Sequence, residues 1–179
     1  MLRKAGAEVG NDYVGKAKLM KSDLAILIKC LPVSGSVVEI GTWHGASVTQ
    51  LAKARPDLSF VCIDTFAEFE SYNKQKNGRP DERLLLWLKN KRPNIFLFMG
   101  NTEEWCKLGL EGAFELIIVD GDHSTSAVEK DLRWARSHLK AGGLIILHDW
   151  KLPSVKAAVK SSGARVLSTP GSWCRVSFE

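Results

Sequence analysis

The stretch Val37–Ser47, VVEIGTWHGAS, constrains this chain more than any other. Val37, Val38 and Ile40 form a β-branched run without clean alternation, as expected of a strand buried on both faces of a parallel sheet. Gly41 and Gly45 follow, four residues apart, where the chain must turn tightly and enter a helix, so a ligand can approach the backbone closely. Glu39 stands just before the turn, placed to accept hydrogen bonds from a ligand hydroxyl or amine. Trp43 occupies the position at which a dinucleotide fingerprint needs its middle glycine, the residue that admits a diphosphate. The turn therefore suits a ligand without a diphosphate, and a nicotinamide dehydrogenase is the least favoured reading.

Beyond the turn, strand and helix signals alternate. Ser22 is placed to cap a helix with apolar Leu24, Leu27, Ile28 and Leu31, stopped by Pro32. A helix is expected over 46–54, a second strand over 58–63 and a helix over 81–91. The third strand is expected over 95–99, a helix follows through Glu103, Glu104 and Trp105, and the fourth strand spans 116–119. Ser126 and Glu129 have capping-box spacing ahead of a stripe made by Val128, Leu132, Ala135 and Leu139, which Gly142 and Gly143 close. The fifth strand spans 144–147, and one more helix covers 154–162. Residues 164–167 and 173–178 lie only a few residues apart across Pro170 and Gly171, so they must pair as an antiparallel hairpin. The fold class is α/β: a doubly wound, mainly parallel seven-stranded sheet with an antiparallel last strand. The division expected is a lead-in and covering helix over 1–36 and one catalytic domain over 37–179. Residues 66–80 show no period and form the longest irregular stretch, the kind that serves as a lid or binding loop.

A chain of 179 residues with 45% hydrophobic content suits one core. No apolar run approaches the ~18 residues of a membrane span, and the start MLRKAGAEVGND lacks the apolar core of a signal peptide. Cys30, Cys62, Cys106 and Cys174 have no metal-ligand spacing and read as buried thiols of a cytoplasmic protein. The net charge of +5 is unevenly distributed. Residues 74–92 carry seven basic and two acidic residues, whereas 93–150 carry five basic and nine acidic ones. An acidic motif region suits a cationic ligand or a metal better than a phosphate backbone, with 74–92 as a basic rim.

VVEIGTWHGAS resembles the first motif of the class I S-adenosylmethionine-dependent methyltransferases, in a variant with the central glycine replaced. VCIDTF, IIVDGDH and AGGLIILHDW strengthen the match in order and spacing, and they resemble the small-molecule O-methyltransferase branch that includes macrocin-type and cephalosporin-hydroxylase-like proteins. The resemblance implies S-adenosyl-L-methionine as cofactor. It marks Glu39, Gly41, Thr42, Trp43, Gly45 and Ser47 on the first turn, and Asp64, Thr65, Asn101, Thr102 and Asp120 at the later strand tips, as candidate cofactor contacts. Asp64, about 20 residues beyond the glycine turn, is placed to accept ribose hydroxyls. Asn101 or Thr102 serves either the adenine or as the N-cap of the next helix.

In the strand order of this fold the fourth and fifth strands are neighbours about 5 Å apart, which brings Asp120 and Asp149 to one rim. Two like charges so placed raise one another's pKa unless a cation lies between them, and a divalent metal such as magnesium or manganese is the simplest resolution. Related O-methyltransferases place acidic ligands at these tips, which implies Asp120, His148 and Asp149 here. His148 departs from the usual acidic residue and shifts the preference toward manganese, zinc or iron. In a regular strand His148 and Asp149 would point to opposite faces, so both can bind only if the strand breaks there. His123 is a ligand or a general base, and Asp120 and His123 are the catalytic candidates. The reaction expected is methyl transfer to a hydroxyl of a small-molecule acceptor by a chain with no membrane partner, alone or as a homo-oligomer. Alternatives are an RNA or protein methyltransferase using 74–92, a metal-independent enzyme with His123 as base, and a cofactor-binding module without catalysis.

Overall fold

The computed structural model describes residues 21–43, 45–65 and 92–178. The lead-in 1–20, the irregular 66–80 stretch, the helix expected over 81–91 and the basic 74–91 segment lie outside the described residues. The elements are α1 (Lys21–Cys30), β1 (Ser36–Ile40), α2 (Ala46–Ala54), β2 (Ser59–Asp64), β3 (Ile95–Met99), α3 (Thr102–Lys107), β4 (Phe114–Val119), α4 (Thr125–His138), β5 (Leu139–Leu147), α5 (Pro153–Ser161), β6 (Arg165–Ser168) and β7 (Cys174–Ser177).

All seven strands form one sheet in the order β3-β2-β1-β4-β5-β7-β6. β3, β2, β1, β4 and β5 are parallel, and β7 pairs antiparallel with both β5 and β6. This is the doubly wound sheet with a closing hairpin that the sequence pattern implies, and strand order reverses between β1 and β4. The central strands are apolar on both faces because helices cover both. Val37, Phe60, Cys62, Leu116, Ile118 and Ile146 pack toward α1 and α2, where Leu27, Val48 and Leu51 are buried. Val38, Ile40, Ile63, Ile117, Val119, Ile145 and Leu147 pack toward α4 and α5, where Leu132, Ala135, Val155 and Ala158 are buried. Leu27 is fully buried, so α1 belongs to the core layer.

Several local expectations need correction. α1 begins at Lys21, so Ser22 lies inside its first turn and is not the cap. α4 is capped by Ser124, whose hydroxyl accepts from Ala127 N, and not by Ser126. α4 ends at His138, and β5 begins at Leu139 and continues past Gly142, which takes φ +77°, and Gly143. Leu139 continues the helical stripe in sequence, yet it pairs with Phe114 at the start of β4; a register irregularity between Phe114 and Leu116 absorbs the early start. Cys106 is exposed, whereas Cys30, Cys62 and Cys174 are buried, and all four are free. No described helix is long and apolar enough to cross a membrane.

Gly41 has φ +84°, and a Cβ there would lie 2.3 Å from the Asp120 carbonyl oxygen and 2.4 Å from Gly121 Cα. Both obstacles are backbone, so they cannot move aside cheaply. Gly41→Ala combines left-handed strain with overpacking and is expected to cost roughly 3 kcal/mol or more. In a domain of this size that corresponds to a melting temperature lowered by roughly 10 °C, read by circular dichroism. An unchanged melting curve would show that the first turn and the β4 tip are not packed this closely.

Candidate active site

The site is built by the ladder continuing one step past the strand ends. Gly41 N–H donates to Ile63 O, Asp120 N–H to Ile40 O, His148 N–H to Val119 O and Gly100 N–H to Asp64 O, all at 2.8–2.9 Å. These bonds align the tips of β3, β2, β1, β4 and β5, so residues far apart in sequence reach one edge in a fixed register. Val119 pairs with Leu147, which sets Asp120 and His148 side by side.

On the β1 tip, Glu39 is almost wholly buried. Its carboxyl accepts from Thr42 Oγ1 at 3.0 Å and from the Ser47 hydroxyl. Burial raises its pKa, the Ser47 and Thr42 hydroxyls oppose this and the charges of Asp120 and Asp64 add to it, leaving the group pushed up to about 8. Burial thus favours the neutral form of Glu39, which can ionise when a cation arrives. Thr42 is buried, and Trp43 is 40% exposed with φ +47°, an unusual conformation for a bulky residue. A 2.6 Å hydrogen bond from Trp43 N–H to Asp64 Oδ2 holds it there. Gly45, also left-handed, provides the N-cap position of α2, and Thr65 is exposed beside Asp64.

At the β3 tip, Asn101 is the N-cap of α3. It accepts from Glu104 N–H at 2.9 Å while Glu104 Oε2 accepts from Asn101 N–H at 2.8 Å, a complete capping box. Thr102 is buried and its hydroxyl donates to Asp131 Oδ1 at 2.9 Å. Asp131, on α4, was not among the sequence candidates. Burial raises its pKa, only partly offset by Thr102, to about 6. An acid three residues after Val128 and beside Leu132 lies on the inward stripe of α4, and that was the available signal.

At the β4 and β5 tips, four side chains converge. His148 Nδ1 lies 3.0 Å from Asp120 Oδ1 and 3.7 Å from Asp149 Oδ1. His123 Nε2 lies 3.7 Å from Asp120 Oδ1 and 3.4 Å from Asp149 Oδ2. β5 ends at Leu147, and Asp149 takes φ +51°, so the strand breaks where both side chains must turn to one rim. Burial alone would lower the His148 pKa, but the Asp120 hydrogen bond and the charges of Asp120, Asp149 and Asp23 outweigh it and hold the imidazole above its ordinary value. The His148 ring also lies against Trp173, with centroids 4.5 Å apart.

One ligand atom each from Asp120, His123 and His148 can be chosen so that all lie within 4.8 Å of one another. His123 Nε2 is a buried atom with no hydrogen-bond partner among the described residues, aimed between two carboxylates. An orphaned imidazole nitrogen facing acids is what a divalent cation would satisfy, and a set with two imidazoles and one carboxylate fits manganese, iron or zinc better than magnesium. His123 thus joins Asp120 and His148 in the compact donor set, and Asp149 borders it.

Residues 38–150 match the model of a family described as a methyltransferase domain, well over half of the chain. The chain belongs to the methyltransferase family. No curated protein matches it in sequence. Its fold is shared with a putative caffeoyl-CoA O-methyltransferase from Staphylococcus aureus, at 17% identity and TM-score 0.64, covering 96% of this chain and 91% of that one. It is also shared with Aeropyrum pernix fibrillarin in complex with S-adenosyl-L-methionine, at 15% identity and TM-score 0.63 over 86% and 73% of the chains. A ribosomal protein L11 methylase from Lactobacillus delbrueckii subsp. bulgaricus matches at 19% identity and TM-score 0.57, over 86% and 75%. At these identities the likeness establishes the class I methyltransferase fold, which small-molecule, RNA and protein methylases share.

Proposed function

We propose that this methyltransferase uses S-adenosyl-L-methionine to methylate a hydroxyl oxygen of a small molecule, in the O-methyltransferase branch that includes macrocin-type proteins. The observation that carries the reading is the convergence of Asp120, His123, His148 and Asp149 on one rim, next to the glycine turn that would receive the cofactor. A fold shared with an O-methyltransferase and with a protein holding this cofactor supports it. Glu39 and Asp64 would bind the cofactor from the β1 and β2 tips, with Glu39 giving up its proton to balance the sulfonium charge. The acceptor hydroxyl would lie against Asp149 and His123, in line with the methyl group. As the oxygen attacks, the C–S bond breaks, sulfur keeps the electron pair, and the hydroxyl proton passes to His123 Nε2. Positioning supplies much of the rate because the donor is already activated. Asp120, His148 and Asp149, with His123 as the alternative ligand, would hold a divalent metal, which would supply Lewis-acid polarisation of the acceptor oxygen.

The test is calorimetric titration of S-adenosylmethionine and S-adenosylhomocysteine, with and without magnesium or manganese, followed by a methylation screen of hydroxylated small molecules. Micromolar cofactor binding is expected, and Asp149→Ala should leave it within a few-fold while abolishing transfer. No cofactor binding under any condition would end this reading, and loss of cofactor binding in Asp149→Ala would remove the division between the two halves of the site.

A further inference from the structure

Exposed cations gather on the outside of the α4–α5 layer, reaching the rim of the site only at Lys151 and Lys156. α4 presents Lys130, Arg133 and Arg136, α5 presents Lys156 and Lys160, and Lys151 lies just ahead of α5; all are exposed. The two helices lie together over one face of the sheet: Thr125 Oγ1 donates to Ser154 O, the Ser161 hydroxyl donates to Glu129, and their inward side chains share one apolar cluster. Lys130 pairs with Glu103 at 3.2 Å. Among the described residues the other five have no carboxylate within ion-pair distance. The two acids of α4, Glu129 and Asp131, set against its three cations leave +1 on that helix, and α5 adds two lysines and no acid.

The spread of these charges says what they fit. Residues four apart on a helix rise about 6 Å, so Lys156 and Lys160 form one row, while Lys130, Arg133 and Arg136, three apart, wind across the outside of α4 from Glu103 to the Phe178 ring, over which Arg136 lies at 5.3 Å. A single small anion needs donors converging on one point, which this array does not offer. An anionic membrane surface would want several large apolar side chains between the cations, whereas among the described residues the one exposed large hydrophobic beside them is Leu152 at the N-cap of α5. A repeating anion meets a distributed array without either requirement. At the rim end Lys156 Nζ lies over the half-buried Trp150 ring at 5.9 Å, so a base would stack there only by displacing the lysine toward a phosphate.

We infer that the outer face of α4 and α5 binds the phosphate backbone of a single-stranded nucleic acid. This goes beyond the methyl-transfer reading and does not depend on it, because binding is read without cofactor or acceptor. The experiment is fluorescence anisotropy of a short labelled single-stranded RNA, and of DNA of the same sequence, with the full chain at increasing salt. Four neutralised phosphates predict affinity roughly fifty-fold weaker at 200 mM than at 50 mM salt. The combined variant Arg133→Ala, Arg136→Ala, Lys156→Ala and Lys160→Ala should weaken binding at least about tenfold at low salt and flatten the salt dependence. Because all four are exposed, its melting temperature should stay close to the parent's. Lys29→Ala with Lys53→Ala, on the helices covering the opposite face, should change neither affinity nor slope. No binding of either oligonucleotide at low salt, equal losses in the two variants, or binding to phosphatidylserine vesicles without binding to oligonucleotides would overturn the inference.

Discussion

Glu39→Gln is expected to make the protein more stable above about pH 8 and to remove most of the pH dependence of its stability between roughly pH 5 and 8. The carboxyl is held at about 8 in the folded protein against 4.5 for an ordinary glutamate. Between these values the folded state binds the proton and the unfolded state does not, so stability falls as pH rises through the window. The slope is about 1.4 kcal/mol per pH unit, amounting to roughly 5 kcal/mol across it. Glutamine keeps the shape and stays neutral throughout, so the two melting curves should nearly coincide at pH 5, diverge up to about pH 8 and run parallel above it. Asp131, pushed up to about 6, contributes in the same direction at the acid end and stays in place in the variant. Curves that remain parallel below about pH 8 would show that Glu39 is ionised in the folded protein at pH 7. The same substitution should weaken S-adenosylmethionine binding, because the ionised form that would balance the sulfonium is no longer available.

Glu39 also shows what a sequence can and cannot disclose. Its position before two glycines was readable as a ligand-facing acid, and the apolar runs that precede the parallel strand tips, with the short Pro170–Gly171 connection, implied the sheet and its closing hairpin. Its burial against Ser47, eight residues on, depends on the left-handed turn through Trp43 and Gly45, and that turn is held by Asp64 from another strand. No local pattern encodes such a bond. The end of α4 was misread for a similar reason: Leu139 satisfies the helical period, but pairing with Phe114 draws it into β5. Asp131 was overlooked because inward acids are rare on an amphipathic helix, although its place on the apolar stripe made it visible. The rim was legible as a pair of aspartates on neighbouring strands. The way His123 folds back between them was not, since it belongs to a loop whose path is set by Gly121 packing on Gly41.

His123→Ala should lower the turnover of methyl transfer by roughly 10²- to 10⁴-fold, the usual range for loss of a positioned general base. Cofactor affinity should stay within a few-fold, because His123 lies on the β4 side of the rim and the cofactor candidates Glu39, Asp64 and Thr42 lie around the β1 and β2 tips. Two roles compete for this imidazole, since its orphaned Nε2 faces both carboxylates and belongs to the compact donor set with Asp120 and His148. Metal content by mass spectrometry separates them. A base should leave metal content unchanged on removal. A ligand should take the metal with it, as His148→Ala should, because His148 packs at 3.0 Å on Asp120 and cannot turn to the acceptor without breaking that contact. If His123→Ala retains full turnover, the proton leaves by another route, and Asp149, 3.4 Å from His123 Nε2 and 43% exposed, is the group positioned to take it.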